Sequence, residues 1–170
     1  ISDVSLAVIG HYGKALNDLV LVNLQNANER GFWVMGNGQG LLKLRTFSVT
    51  ACQGLTDIGL EVVGRGCPDL KQLCLQKCAL VSDNGVASLS KVAVSLESLK
   101  LEECHRVTQL GVFGILMNCG SKLKAVALSN CLGLRDLPHG SPIMTSCNSV
   151  RSLSIHNCPG FGDSTLALLG

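Results

Sequence analysis

An α/β solenoid, in which each coil supplies one short parallel strand and one helix, is the fold class this chain predicts, and three observations predict it. A nine-residue phrase recurs six times: Leu16-x-x-Leu19-x-Leu21-x-x-Leu24, Leu44-x-x-Phe47-x-Val49-x-x-Cys52, Leu70-x-x-Leu73-x-Leu75-x-x-Cys78, Leu96-x-x-Leu99-x-Leu101-x-x-Cys104, Leu123-x-x-Val126-x-Leu128-x-x-Cys131 and Val150-x-x-Leu153-x-Ile155-x-x-Cys158. The final positions lie 28, 26, 26, 27 and 27 residues apart. Between phrases, a second signal returns in Leu55-Thr-Asp-Ile-Gly-Leu60, Val81-Ser-Asp-Asn-Gly-Val86 and Val107-Thr-Gln-Leu-Gly-Val112. A self-similar period of this length outranks any local motif in deciding a fold.

Within the phrase, alternation assigns a strand. In Leu70-Lys-Gln-Leu-Cys-Leu-Gln-Lys-Cys78 a period of two sends Leu73 and Leu75 inward and leaves Gln72, Cys74 and Gln76 facing out. The second signal assigns a helix start. Thr56, Ser82 and Thr108 can accept a hydrogen bond from a first-turn amide, and Asp57 and Asp83 suit the positive end of the helix dipole. Apolar spacing then carries each helix for about ten residues through Leu60, Val62 and Val63, through Val86, Leu89 and Val92, and through Val112, Ile115 and Leu116. Asn28-Glu-Arg-Gly-Phe32 and Ser2-Asp-Val-Ser-Leu6 share this register, so residue 1 enters partway through a unit. The period lies in the leucine-rich-repeat range, which implies a right-handed, horseshoe-like stack across residues 1–170 with about six cysteine-containing repeats.

Two stretches depart from regularity. In Leu134-Arg-Asp-Leu-Pro-His-Gly-Ser-Pro142, Pro138 and Pro142 oppose a helix, and an irregular connection is expected there. Gly36-Asn-Gly-Gln-Gly40 is glycine-rich but lacks the Lys-Ser or Lys-Thr of a phosphate loop. It reads as the end of the helix begun at Glu29, with glycine taking left-handed backbone angles. Ile1-Ser-Asp-Val reads as the interior of a longer chain, and a last helix is expected from Gly162-Asp-Ser-Thr-Leu166. Both ends are expected to be open stacks without polar caps.

Composition excludes several function classes. Fourteen Lys and Arg against twelve Asp and Glu give +2, so neither nucleic acid nor an anionic membrane is an implied partner. No apolar run reaches the ~18 residues a membrane helix needs. Five of the nine cysteines, Cys52, Cys78, Cys104, Cys131 and Cys158, occupy one repeat position. They read as structural turn residues whose thiols point toward backbone amides. Cys67, Cys119 and Cys147 share a second register as small packing residues, and free thiols in such number fit a reducing compartment.

The clusters that suggest catalysis come apart once the register is drawn. Cys104-His105 pairs a thiol with an imidazole, but the cysteine is the repeat residue and the histidine lies on the loop. Cys74 and Cys78 face opposite ways, and neither they nor His156 and Cys158 have third and fourth ligands for zinc. Glu102 and Glu103 are adjacent and cannot converge on one bond. Phe32 and Trp33 read as packing residues, since no basic residues interleave with them. No catalytic, metal or cofactor-binding residue is assigned, and the chain is expected to be no enzyme.

What remains is the outward, concave strand face. Its eighteen expected positions carry charge only at Asp18, Lys100 and Glu102, which suits shape-matched contact with protein better than phosphate capture. Partner-binding residues are assigned there and in the adjoining loops: Gln72, Gln76, Lys77, Lys100, Glu102, Glu103, His105, Arg106 and His156. Lys77, Glu103, His105 and Arg106 cluster beside Lys100 and Glu102 as the central patch.

The cysteine-terminated repeat followed by Thr-Asp-x-Gly-Leu resembles the cysteine-containing leucine-rich repeats of F-box proteins. Val8-Ile-Gly-His-Tyr-Gly-Lys-Ala15, Arg30-Gly-Phe-Trp-Val-Met-Gly-Asn-Gly-Gln-Gly40, Cys67-Pro-Asp-Leu-Lys-Gln72 and Leu101-Glu-Glu-Cys-His-Arg-Val-Thr108 are similar to the plant ethylene-insensitive-binding F-box proteins over the whole chain. The resemblance implies the substrate receptor of a cullin-type ubiquitin ligase. Its repeats would hold an ethylene-insensitive transcription factor for degradation in the nucleus, and an F-box, which these residues lack, would hold the ligase adaptor. Two other classes stay open: a hormone or small-molecule receptor, against which the few cations on the face count, and an interaction scaffold with no role in degradation.

Overall fold

The computed structural model describes residues 1–135 and 149–163. Helices and strands alternate along the chain as α1 (Asp3–Tyr12), β1 (Asp18–Val22), α2 (Glu29–Asn37), β2 (Thr46–Thr50), α3 (Asp57–Gly66), β3 (Gln72–Gln76), α4 (Asp83–Val92), β4 (Ser98–Glu102), α5 (Gln109–Cys119), β5 (Ala125–Ser129) and β6 (Ser152–His156). The six strands form one parallel sheet in the order β1-β2-β3-β4-β5-β6, and each helix packs on its neighbours in the adjacent coils. All five strand pairings keep the repeat register, so Leu75 opposes Val49 and Leu101, and Lys100 opposes Cys74 and Ala127. The expected connection around Pro138 and Pro142, Cys147, and the helix expected to continue to Leu166 lie outside the described residues.

Each strand turns two side chains into a continuous core shared with the helices: Leu73 and Leu75 from β3, Leu99 and Leu101 from β4, Phe47 and Val49 from β2. Phe32, Leu60, Leu89 and Ile115 close it from the helix side. On β6 the inward pair is more open, with Leu153 39% exposed, because only β5 flanks that strand among the described residues.

The helix entries do more than cap. Thr56, Ser82 and Thr108 accept from first-turn amides as expected, at 3.3, 3.3 and 3.2 Å. The aspartates that follow Thr56 and Ser82 reach into the next coil. Asp57 accepts from the amide and hydroxyl of Ser82 at 2.7 and 2.6 Å, and Asp83 accepts from the amide and hydroxyl of Thr108 at 2.7 and 2.6 Å and from the Gly111 amide at 3.0 Å. Asp3 likewise takes the Asn28 amide at 2.8 Å. This explains the glycine three residues after Asn28, Ser82 and Thr108. A Cβ on Gly85 would stand 2.4 Å from the Asp57 carboxylate, and one on Gly111 2.5 Å from that of Asp83. Ser/Thr-Asp-x-Gly is therefore a clamp between coils, each carboxylate occupying space that the next glycine leaves empty.

Two sequence expectations are corrected and one is extended. In the stretch Gly36–Gly40 the left-handed residue is Gln39, with φ 58°, whereas Gly38 ends α2 at φ −73°. The glycines serve close approach instead: a Cβ on Gly38 or Gly40 would meet the Gly10 carbonyl oxygen at 2.4 Å, and the Gly40 amide donates to that oxygen at 2.7 Å. Trp33, expected to pack, is 49% exposed; only Phe32 enters the core. The repeat thiols face backbone amides as expected, and they also donate to carbonyl oxygens: Cys78 to Val49 and Gln76 at 3.6 and 3.5 Å, Cys104 to Leu75 and Glu102 at 3.4 and 3.5 Å, Cys131 to Leu101 and Ser129 at 3.6 and 3.3 Å. The cysteine thus ties the end of its own strand to the strand before it, as Cys52 does with Thr50 and Leu21 at 3.4 and 3.9 Å.

Candidate protein-binding face

The outward face is three rows of side chains running across the six strands. The rows are Asp18, Thr46, Gln72, Ser98, Ala125, Ser152; Val20, Ser48, Cys74, Lys100, Ala127, Ser154; and Val22, Thr50, Gln76, Glu102, Ser129, His156. Small residues fill the outward positions of β2 and β5, whereas Gln72, Gln76, Lys100 and Glu102 stand out from the middle strands β3 and β4. Val20 and Val22 on β1 are exposed apolar groups at one end, and His156 is exposed at the other.

Where the chain leaves each strand, a non-glycine residue takes a left-handed conformation: Asn23, Ala51, Lys77, Glu103, Asn130 and Asn157, with φ between 51° and 54°. Such a residue costs roughly 1–2 kcal/mol of local strain, offset here by a fixed bond to the next coil. The amides of Ala51, Lys77 and Glu103 donate to Gln76, Glu102 and Ser129 carbonyls at 2.8, 2.9 and 3.0 Å. The sequence reading missed this row, although asparagine at three of its six places is the signature of left-handed backbone.

That turn places the central patch. Lys77 and Glu103 leave successive turns and pair at 3.7 Å, while Lys100 and Glu102, on one face of β4, pair at 3.2 Å. Both pairs are largely open to water and contribute at most about 1 kcal/mol each. His105 and Arg106 follow on the exposed loop, and the Leu132 amide donates to His105 Nδ1 at 3.4 Å. Two exposed leucines missed by sequence reasoning flank these residues, Leu80 in the loop after β3 and Leu132 in the loop after β5. Gln76 joins the patch and bonds Thr50 Oγ1 through Oε1 at 3.3 Å. Gln72 stands at the far end of β3, and His156 lies two strands beyond Glu102, across Ser129, so these two do not belong to the cluster.

The thiols are structural. Burial pushes Cys67 and Cys78 up to about 12 and Cys104 and Cys119 up to about 11, so all four are protonated at neutral pH and lack the anion that a nucleophile requires. All eight described cysteines are free. Because these thiols ionise more readily when unfolded, their stabilising effect is complete below the ordinary value of 9.0 and is lost as pH rises toward 11–12. The urea midpoint is therefore expected to fall from pH 9 upward. Cys67→Ala, which installs the residue found at the matching Ala93, should make that fall shallower; an identical slope would contradict the assignment. Among the described residues no group of three or more His, Cys, Asp or Glu is placed to hold a metal ion, and no helix is long and apolar enough to cross a membrane.

No protein-family model matches the sequence. Among solved structures, a chain from the crystal structure of the yeast Rad7 and Elc1 complex superposes with a TM-score of 0.68 over 92% of this chain, at 20% sequence identity. The chain is a leucine-rich-repeat solenoid. It spans 38% of that neighbour's length, and at such identity the likeness is one of fold.

Proposed function

We propose that this solenoid is the substrate-recognition region of an F-box subunit of a cullin-type ubiquitin ligase. In this reading it binds ethylene-insensitive transcription factors in the nucleus, marks them for ubiquitination and proteasomal degradation, and so restrains ethylene signalling. The observation that carries the binding part is the outward sheet face: eighteen positions in strict register, mostly small and neutral, bordered by one polar patch with exposed leucines. Such a face suits contact with another protein and has no constellation for chemistry. The choice of partner rests on the resemblance carried by Gly31-Phe-Trp-Val-Met-Gly-Asn-Gly-Gln-Gly40 and Leu101-Glu-Glu-Cys-His-Arg-Val-Thr108. The adaptor would be held by an F-box beyond these residues, and the chain itself would be non-catalytic. A solved neighbour found in a complex of two proteins is in keeping with a binding role.

The central patch is the assigned contact. Lys100→Glu combined with Arg106→Glu reverses two exposed cations without touching the core, and is expected to weaken binding to an ethylene-insensitive factor by about tenfold or more, ~1.4 kcal/mol per decade. Titration calorimetry with the purified proteins checks it, alongside an unchanged thermal midpoint. Wild-type affinity in the double variant would remove these residues from the interface.

A further inference from the structure

The net charge of +2 conceals an asymmetry at the edge where the strands begin. The residue just before each strand from β2 to β6 is Arg45, Lys71, Glu97, Lys124 and Arg151. A backbone ladder aligns them: each amide donates to the carbonyl of the residue before it in the row, Lys71 to Arg45 at 2.8 Å, Glu97 to Lys71 at 2.8 Å, Lys124 to Glu97 at 2.7 Å and Arg151 to Lys124 at 2.8 Å. At about 4.8 Å per strand this row is roughly 20 Å long. Two residues earlier in their coils, exposed Lys43 and Lys122 add to it, separated from Arg45 and Lys124 by buried Leu44 and Leu123.

Six cations face two carboxylates here, Glu97 and Asp69, so the rim carries +4 and the rest of the chain −2. Glu97 bridges Lys71 and Lys124 at 3.2 and 2.7 Å, and those two hydrogen-bonded lysines hold its carboxyl below the usual range. Arg45, Arg151, Lys43 and Lys122 have no ion-pair partner among the described residues. Beside the cations runs a second row of exposed apolar residues in successive coils, Leu42, Pro68 and Val94, with Leu42 and Val94 about half exposed.

We propose that this rim docks an acidic, apolar-studded peptide segment of a protein partner, its carboxylates on the cations and its apolar side chains on Leu42, Pro68 and Val94. The proposal extends the protein-binding reading above by assigning a second contact and its chemistry. Nucleic acid fits less well. No aromatic side chain is exposed along the rim for a base to stack on, and Glu97 sits in the middle of the row where a continuous phosphate track would pass.

Fluorescence anisotropy with a labelled peptide of alternating Asp and Leu tests it, beside the same peptide with Lys for Asp and a thymidine oligonucleotide. The chain should bind the acidic peptide, more weakly as salt rises. Lys124→Glu with Arg151→Glu, and separately Lys43→Ser with Arg45→Ser, should each cut affinity by about tenfold or more, whereas Lys91→Glu, at the end of α4, should leave it unchanged. Absence of binding, equal weakening by Lys91→Glu, or preferential binding of the oligonucleotide through the same cations would each overturn the proposal. The assay contains no transcription factor, so its failure leaves the degradation reading intact. Loss of transcription-factor binding with the peptide still bound would reject that reading alone.

Discussion

Asp83→Ala is expected to destabilise the chain by about 2–4 kcal/mol, the scale for several charge-assisted hydrogen bonds lost together at a partly buried site. The carboxylate of Asp83 gathers the amide and hydroxyl of Thr108 and the amide of Gly111, and removing it takes away the three hydrogen bonds that tie the start of α5 to the start of α4. Two amides at the positive end of a helix would then lack an acceptor. Asp83→Asn should fall in between, because one side-chain oxygen still accepts from the two amides while the second acceptor is lost. The same geometry predicts coupling with the glycine. Gly111→Ala places a Cβ 2.5 Å from the Asp83 oxygen, so it should be costly in the natural chain and much cheaper once the carboxylate is gone. Urea unfolding of the two single variants and the double variant checks this, and additive losses would show that the pair does not act as one clamp.

Leu101→Ala is expected to cost about 2–5 kcal/mol, with the larger values reached where a cavity cannot collapse. Leu101 is fully buried at the centre of the sheet, held between Leu75 and Leu128 by the strand register, with Cys131 Sγ bonded to its carbonyl. Neighbouring strands are fixed by their own ladders, so little can move in to fill the space. Because coils stabilise one another only through neighbours, the loss should uncouple the coils on either side. Urea unfolding followed by hydrogen exchange should show lower protection in β4 and β5 than in β1 and β2. A loss below about 0.5 kcal/mol would place Leu101 outside a packed core. This variant acts on stability, which separates it from the charge reversal at Lys100 and Arg106.

The spine of the fold was legible because it is written locally. The two inward residues of each phrase mark a strand, and all six strands begin and end at the expected outward residues, from Asp18–Val22 to Ser152–His156. Helix starts at Asp57 and Asp83 followed from the caps before them. What stayed hidden acts across coils or through backbone geometry. Asp83 reads as a dipole-compensating residue until the next coil, 25 residues on, is seen to deliver Thr108 to it. Gly38 and Gly40 read as helix-ending glycines until Gly10 is found against them. The basic rim escaped notice because a net charge is a sum, and Arg45, Lys71, Lys124 and Arg151 become neighbours only when the coils stack. Of the assigned binding residues, those around Lys100 form one patch because their repeats are adjacent, while Gln72 and His156 share only the face.

The central claim, that this solenoid selects a protein for degradation, is tested most directly by the lifetime of the selected protein. Half-life of an ethylene-insensitive transcription factor would be measured in cells after translation is blocked, with the full-length protein present, absent, or carrying Lys100→Glu and Arg106→Glu. The account predicts a short half-life only with the natural full-length protein, lengthened by proteasome inhibition and by the double variant. A half-life that does not change with its presence would contradict the account and leave a binding scaffold in its place.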